Sequence, residues 1–173
     1  MKQTLTDKGN NYLDVVSSIR PERDMMLTIG VFDGVHPGHQ QLCKRLIENA
    51  QSAGLLSGVV TFSWHPRAVL APWTELPYLT SLDERISLLK NMGIDHVIVL
   101  PFTSELAQMP ARLFITLLKD KLRMQGLVIG PDFALGRERE GNVEMLNNMG
   151  RELSFSVEVV PSLKINGEIV SST

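Results

Sequence analysis

Three things are scarce in this 173-residue chain: cysteine, net charge and long apolar runs. Each absence narrows the field. Cys43 is the only cysteine, so no intrachain disulfide can form. Its place on the apolar stripe of a helix-period segment reads as a buried core thiol. Lysine and arginine total 17 against 19 aspartate and glutamate, a formal net charge of -2. That leaves no polycation to neutralise a nucleic-acid backbone, and a nucleic-acid partner is not expected. No apolar stretch approaches a membrane span. The opening segment, Met1 to Asn11, is polar and lacks the apolar centre of a secretory signal, so a cytoplasmic protein without a membrane partner is the expectation. There are no repeats and no low-complexity tracts. No third histidine lies near His36 and His39, and Cys43 reads as core, so no cysteine or third histidine completes a zinc site. No Walker loop and no GxGxxG fingerprint occurs. The sequence leaves the oligomeric state open.

What is present is concentrated in Gly30-Val31-Phe32-Asp33-Gly34-Val35-His36-Pro37-Gly38-His39. The apolar Met26-Leu27-Thr28-Ile29 leads into it, and a helix-period run from Gln41 to Ala53 leaves it. Strand, glycine-rich turn and helix N-terminus together present backbone N–H groups and a helix dipole to a phosphate. The two histidines, three apart across Pro37-Gly38, are placed to project from one side of the first helical turn. Pro37 suits the first helical position, and Gly38 removes a side chain where a ligand comes close. The chemistry indicated is polyphosphate binding with stabilisation of charge at phosphorus.

Along the rest of the chain, strand and helix signals alternate. Residues 1 to about 25 are a weakly patterned lead-in with a short apolar patch, Leu13 to Val16. Strands are predicted over Met26–Phe32, Val59–Phe62, His96–Leu100, Leu127–Ile129 and Phe155–Val160. Helices are predicted over His36–Ala53, from the capping box Ser81-Leu82-Asp83-Glu84 to Gly93, from Pro110 through Leu122 with Leu113 among its inward residues, and over Asn142–Gly150. Asn166-Gly167 marks a hairpin near the end. Alternation of this kind predicts one α/β domain over residues 1–173: about five parallel strands, helices on both faces and a small C-terminal hairpin. A chain of this size buries roughly 70% of its unfolded surface, enough for a sizeable core. Ligands in such sheets bind beyond the strands' carboxyl ends, and every informative loop follows a strand.

Three further loops carry chemistry or plain turns. Trp64-His65-Pro66-Arg67 follows the second strand and is either a grip on a phosphate or planar ring, or a surface turn. Gly130 to Gly136 holds Asp132, a candidate ligand or Mg2+ carboxylate, and Phe133, a candidate stacking ring; a self-bonded turn is the alternative. Ser171-Ser172-Thr173 offers hydroxyls to phosphate or a helix cap, or is a frayed end. Arg137-Glu138-Arg139-Glu140 reads as a self-compensating solvated loop, and His96 as a packed or rim residue.

Taken together, these segments resemble the FAD synthetase (FMN adenylyltransferase) module of prokaryotic bifunctional riboflavin kinase/FAD synthetases, within the HxGH nucleotidyltransferases. Gly30 to His39 is similar to that family's G-x-F-D-G-x-H-x-G-H. Thr61-Phe62 with His65-Pro66-Arg67 matches T-F-x-x-H-P-R. Leu79-Thr80-Ser81, Leu88-Leu89 and Gly93-Ile94-Asp95 match a further segment, Gly130, Asp132-Phe133 and Gly136 match G-x-D/N-F-x-F-G, and Ser171-Ser172-Thr173 matches I-S-S-T.

The resemblance implies a Rossmann-like nucleotidyltransferase fold and transfer of AMP from ATP to FMN with Mg2+, giving FAD and pyrophosphate. It implies catalytic roles for His36 and His39. Gly30, Val31, Phe32, Asp33, Gly34, His36, Gly38, His39, Ser171, Ser172 and Thr173 would contact the nucleotide, with Asp33 alternatively fixing the turn. Phe62, His65, Pro66, Arg67, Asp132 and Phe133 would line the flavin side. Mg2+ would be held mainly through the ATP phosphates, with Asp132 as a candidate ligand. There are departures. Ser63-Trp64 stand where the family has Asp-Pro, and Ala134-Leu135 where it has Arg-Phe. The family's arginine after Ser-Ser-Thr and its riboflavin kinase barrel lie outside these 173 residues, so riboflavin phosphorylation is not expected of them. A sister transferase using CTP or another acceptor, and a flavin- or nucleotide-binding module without turnover, are the alternatives that those departures allow.

Overall fold

The computed structural model describes residues 3–5, 11–63 and 79–169, with side chains described from residue 11 onward. Its centre is a sheet of six parallel strands: β1 (Gln3–Leu5), β2 (Met25–Ile29), β3 (Leu56–Phe62), β4 (His96–Leu100), β5 (Met124–Ile129) and β8 (Ser156–Val159). The spatial order is β1-β4-β3-β2-β5-β8. The five predicted strands supply its body, and β1 adds a short edge beside β4, pairing Gln3 with His96 and Leu5 with Ile98. From β2 the chain winds one way through β3 to β4 and the other way through β5 to β8. β2 and β5 therefore flank the point where the winding reverses.

Helices cover both faces. α1 (Tyr12–Ser18), α5 (Ala111–Leu122) and α6 (Val143–Leu153) pack on one face with Leu27, Ile29, Val60, Ile98, Leu127 and Ile129. α2 (Pro37–Ala53) and α3 (Leu82–Asn91) cover the other, with Met26, Val59, Val97, Val99 and Val128. Neighbours along each strand thus feed opposite cores. That is why the strands read as continuous apolar runs and not as alternating ones. Ser57 and Asp95 tie β3 to β4 at their start, the serine N–H and hydroxyl both donating to the Asp95 carboxylate at 2.9 and 3.0 Å.

Several boundaries differ from the sequence expectation for identifiable reasons. The lead-in contains α1, capped by the Asn11 side chain on the Asp14 N–H. It is too short for periodicity to reveal, yet Tyr12, Val15, Val16 and Ile19 are core residues. A further short helix, α4 (Ser104–Gln108), begins at a Thr103 cap. Leu113 points to solvent, 57% exposed, because the buried stripe of α5 runs through Ala111, Phe114, Ile115, Leu118 and Leu122. The hairpin is as expected: β9 (Lys164–Ile165) and β10 (Glu168–Ile169) pair across Asn166 and Gly167, both at positive φ.

Gly150 does not end α6, which runs on to Leu153 and leaves Ser154 in the left-handed conformation. The glycine is there for space, since a Cβ at this position would lie 2.6 Å from the Phe155 carbonyl oxygen. The two effects of substitution have opposite sign. Helix propensity alone favours Gly150→Ala by about 1 kcal/mol. Crowding against backbone is expected to outweigh it and destabilise the variant by about 1–3 kcal/mol in urea unfolding. A stabilised variant would show that the approach to Phe155 is not limiting.

Candidate functional site

The Gly30–His39 loop leaves the carboxyl end of β2 and enters α2. A short 3-10 turn, Asp33–Val35, sits in its middle. Phe32 (φ 56°) and Val35 (φ 42°) both adopt left-handed backbone. For a β-branched residue this is a strained conformation. It persists because neighbouring groups hold the loop at several points. The Asp33 carboxylate accepts hydrogen bonds from the Leu79 N–H, the Thr80 N–H and the Thr80 hydroxyl at 3.0–3.1 Å. The Gly34 N–H donates to the Thr80 hydroxyl oxygen at 3.0 Å. Asp33 thus fixes the turn. Burial would raise its pKa, but these bonds and the charge of Arg85 outweigh that and hold it below the usual carboxylate value.

The two histidines stack, with ring centroids 3.6 Å apart and planes at 24°. Buried Phe32 lies 5.0 Å from the His39 ring and forms its floor. His36 is also the N-cap of α2. Its Nδ1 accepts from the N–H groups of Gly38 (3.1 Å) and His39 (3.4 Å), and Pro37 occupies the first turn without an N–H. This alters the sequence expectation of a helix terminus open to phosphate. The first-turn amides spend themselves on the imidazole, and the dipole acts through the ring. Nδ1 as acceptor assigns the ring proton to Nε2. His36 Nε2 and His39 Nδ1 are both buried without a hydrogen-bond partner among the described residues. Burial lowers the pKa of His36. Burial, then the charge of His36, brings His39 down to about 4. The site therefore presents neutral imidazoles at pH 7.

The loop after β5 is a built structure. β6 (Ala134–Leu135) and β7 (Gly141–Asn142) pair antiparallel and seat on the start of α5. Glu140 accepts from the Ala111 N–H at 2.8 Å, and the Arg137 N–H donates to the Met109 carbonyl at 3.0 Å. Gly136 (φ +79°) admits no side chain, since a Cβ would lie 2.7 Å from the Ala111 nitrogen. The Arg137–Glu140 stretch is therefore not merely a solvated loop: Glu140 caps a helix and Arg139 donates to the Asp132 carbonyl at 3.3 Å. Phe133 is half-buried against the core, and Asp132 is exposed.

The strand ends thus bring His36, His39, Phe32, Asp132 and Phe133 to the carboxyl edge of the sheet. Phe62, at the end of β3, is buried, its ring edge-on to Phe102 at 5.3 Å. Its role in the structure is to pack the rim. Trp64, His65, Pro66, Arg67, Ser171, Ser172 and Thr173 lie outside the described residues. Thr80 and Arg85 were missed by the sequence reading. The signal for Arg85 was its phase, one turn before buried Leu89 on an otherwise apolar stripe. Cys43 is buried as expected, its thiol pushed up to about 12 by burial.

Among the described residues no three His, Cys, Asp or Glu side chains converge as a metal cage. An ion of the Mg2+ kind, which keeps water and substrate phosphates as ligands, asks for only one or two carboxylates. Exposed Asp132 is of that kind.

The lowered histidine pKa values predict a pH dependence of stability. Below about 6.5 the unfolded chain takes up protons that His39 refuses until about 4. Stability is therefore complete above 6.5 and is lost as pH falls towards 4. His39→Gln removes this contribution, so its melting temperature is expected to fall less than that of the parent between pH 6.5 and 4.5. Equal slopes in circular-dichroism melts would contradict the assignment.

Known proteins resemble this chain in sequence and in fold. The family model described as FAD synthetase matches residues 18–173. A bifunctional riboflavin kinase/FMN adenylyltransferase of Pseudomonas fluorescens is 37% identical over 158 residues, covering 90% of this chain and 50% of that protein. The Escherichia coli K12 protein of the same name is 34% identical over 154 residues, covering 88% and 49%. The chain spans about half the length of these curated relatives. A solved structure described as a macrolide-efflux protein from Streptococcus pneumoniae superposes with a TM-score of 0.82 at 26% identity, over 91% of this chain and 51% of that one. Among the described residues, no helix is long and apolar enough to cross a membrane. With a family model matching nearly its whole length and relatives sharing a third of its residues, the chain belongs to the FAD synthetase family.

Proposed function

We propose that this chain is an FMN adenylyltransferase, joining ATP and FMN into FAD and pyrophosphate. The observation that carries the reading is the stacked pair of neutral imidazoles at the sheet's carboxyl edge, each with a buried nitrogen that has no partner among the described residues. Family membership and the names of the relatives support the choice of substrates.

The reaction needs alignment and charge stabilisation more than proton transfer. An oxygen of the FMN phosphate forms a bond to the α-phosphorus of ATP. The bond from that phosphorus to the bridging oxygen breaks, and pyrophosphate leaves with the electron pair. The attacking oxygen is already anionic, so no base is required. In this reading the His36 Nε2–H donates to a phosphate oxygen whose charge grows, and the α2 amides on Nδ1 strengthen it as a donor. His39, held between Phe32 and His36, offers a second nitrogen. The Gly30–Gly38 backbone, with Ser171, Ser172 and Thr173, holds the nucleotide. Phe62, His65, Pro66, Arg67, Asp132 and Phe133 lie on the flavin side. Mg2+, carried by the ATP phosphates and met by Asp132, would neutralise phosphate charge. Cytoplasmic residence belongs to the same reading, since ATP is a cytoplasmic substrate.

The test is FAD formation from ATP, Mg2+ and FMN, resolved by chromatography. His36→Ala is expected to lower kcat by about 10²–10³-fold, the usual loss for one donor to a developing oxyanion, with little change in KM for FMN. Folded protein that makes no FAD above a blank sinks the proposal.

A further inference from the structure

Arg85 is the largest fully buried side chain among the described residues, 2% exposed, and the only guanidinium so placed. It projects from α3 beneath the Gly30–His39 loop. Its Nη1 donates to the Val31 carbonyl oxygen at 2.6 Å and to the Thr61 hydroxyl oxygen at 3.2 Å. The Thr61 hydroxyl in turn donates to the same Val31 carbonyl at 2.9 Å. One backbone oxygen is thus held from two sides, and one holder is a buried charge.

Burying a guanidinium is costly, and an unbranched apolar residue would fill the space without that cost. One of its contacts is to the Val31 carbonyl, and the consequence of that contact can be followed. In a planar trans peptide, C=O and the following N–H point opposite ways. With the Val31 oxygen drawn towards Arg85, the Phe32 N–H is turned away from it. The next residue is left-handed Phe32. Rotated the other way, the same peptide would present a carbonyl oxygen to incoming phosphates.

We infer that Arg85 is a positioning residue for the adenylyl-transfer site: through the Val31 carbonyl it fixes the Val31–Phe32 peptide with its N–H facing the triphosphate, without touching substrate itself. This rests on the function proposed above. Asp33, two residues after Val31, is clamped onto Thr80, five residues before Arg85. The stretch from Leu79 to Arg85 therefore grips the first half of the loop at Val31 and at Asp33–Gly34.

The test is a set of variants, Arg85→Met, Arg85→Lys and Thr61→Val, each melted to confirm folding. Steady-state FAD synthesis then gives kcat and separate KM values for ATP and FMN, and calorimetry measures binding of ATP with Mg2+. Arg85→Met is expected to weaken ATP affinity and lower kcat/KM for ATP by about tenfold or more, the scale of one charged hydrogen bond. KM for FMN should hold within about twofold, and Arg85→Lys should restore most of the loss. Thr61→Val should move the ATP terms the same way by less. It decides the case if Arg85→Met does not fold. Folded variants with unchanged ATP affinity and ATP kinetics overturn the inference. If the parent makes no FAD yet binds ATP, the function proposal fails alone, and the calorimetric arm still judges Arg85. If the parent binds no ATP either, both fall.

Discussion

The carboxylate of Asp33 bonded to Leu79 and Thr80 is the constraint on which the site depends. Two residues of the neighbouring turn, Phe32 and Val35, sit in backbone conformations that cost on the order of 1–3 kcal/mol each. Free in solution, such a turn would relax. Here it is closed by a segment 46 residues away in sequence, whose own position is set by α3 and its capping box. Shape at the histidines is therefore a tertiary property. The glycines permit the turn, and the clamp selects it.

The clamp also decides what the end of α2 can offer. With the turn fixed, the His36 ring folds back over its own helix and takes the first-turn amides. A helix terminus that is usually an anion site becomes instead the support for one imidazole. The partial positive charge is moved outward by the length of a ring and emerges at Nε2. The same geometry brings His39 into face contact, where two charged rings would repel. Stacking and capping thus push in one direction, towards neutral rings that can donate and accept.

Much of this was legible in the chain itself. The strand signals and the Gly30–His39 decamer placed β2, α2 and the histidine pair, because short β-branched runs and a helix starting at Pro37 leave few arrangements. The unread parts share a cause: their residues answer to partners distant in sequence. Gly150 looks like a helix stop and is a gap for the Phe155 carbonyl. Glu140 looks like one charge among four and is the cap of a helix that begins 29 residues earlier. Leu113 looks like core because it is leucine, yet the stripe of α5 passes beside it. Arg85 lay hidden inside an amphipathic pattern in which a charge is ordinarily solvent-facing.

The sheet order has a consequence for how the protein comes to be folded. β2 pairs with β3 across α2, a local step, but its other neighbour is β5, with Met25 beside Met124 almost a hundred residues on. Non-local parallel pairing is slow, because a long loop must close before any contact rewards it. The loop after β2 that carries His36 and His39 and the loop after β5 that carries Asp132 and Phe133 leave neighbouring strands only once that pairing is made. The two loops come from parts of the chain that are synthesised far apart in time, and the strand pairing that makes them neighbours is among the later steps open to the folding chain.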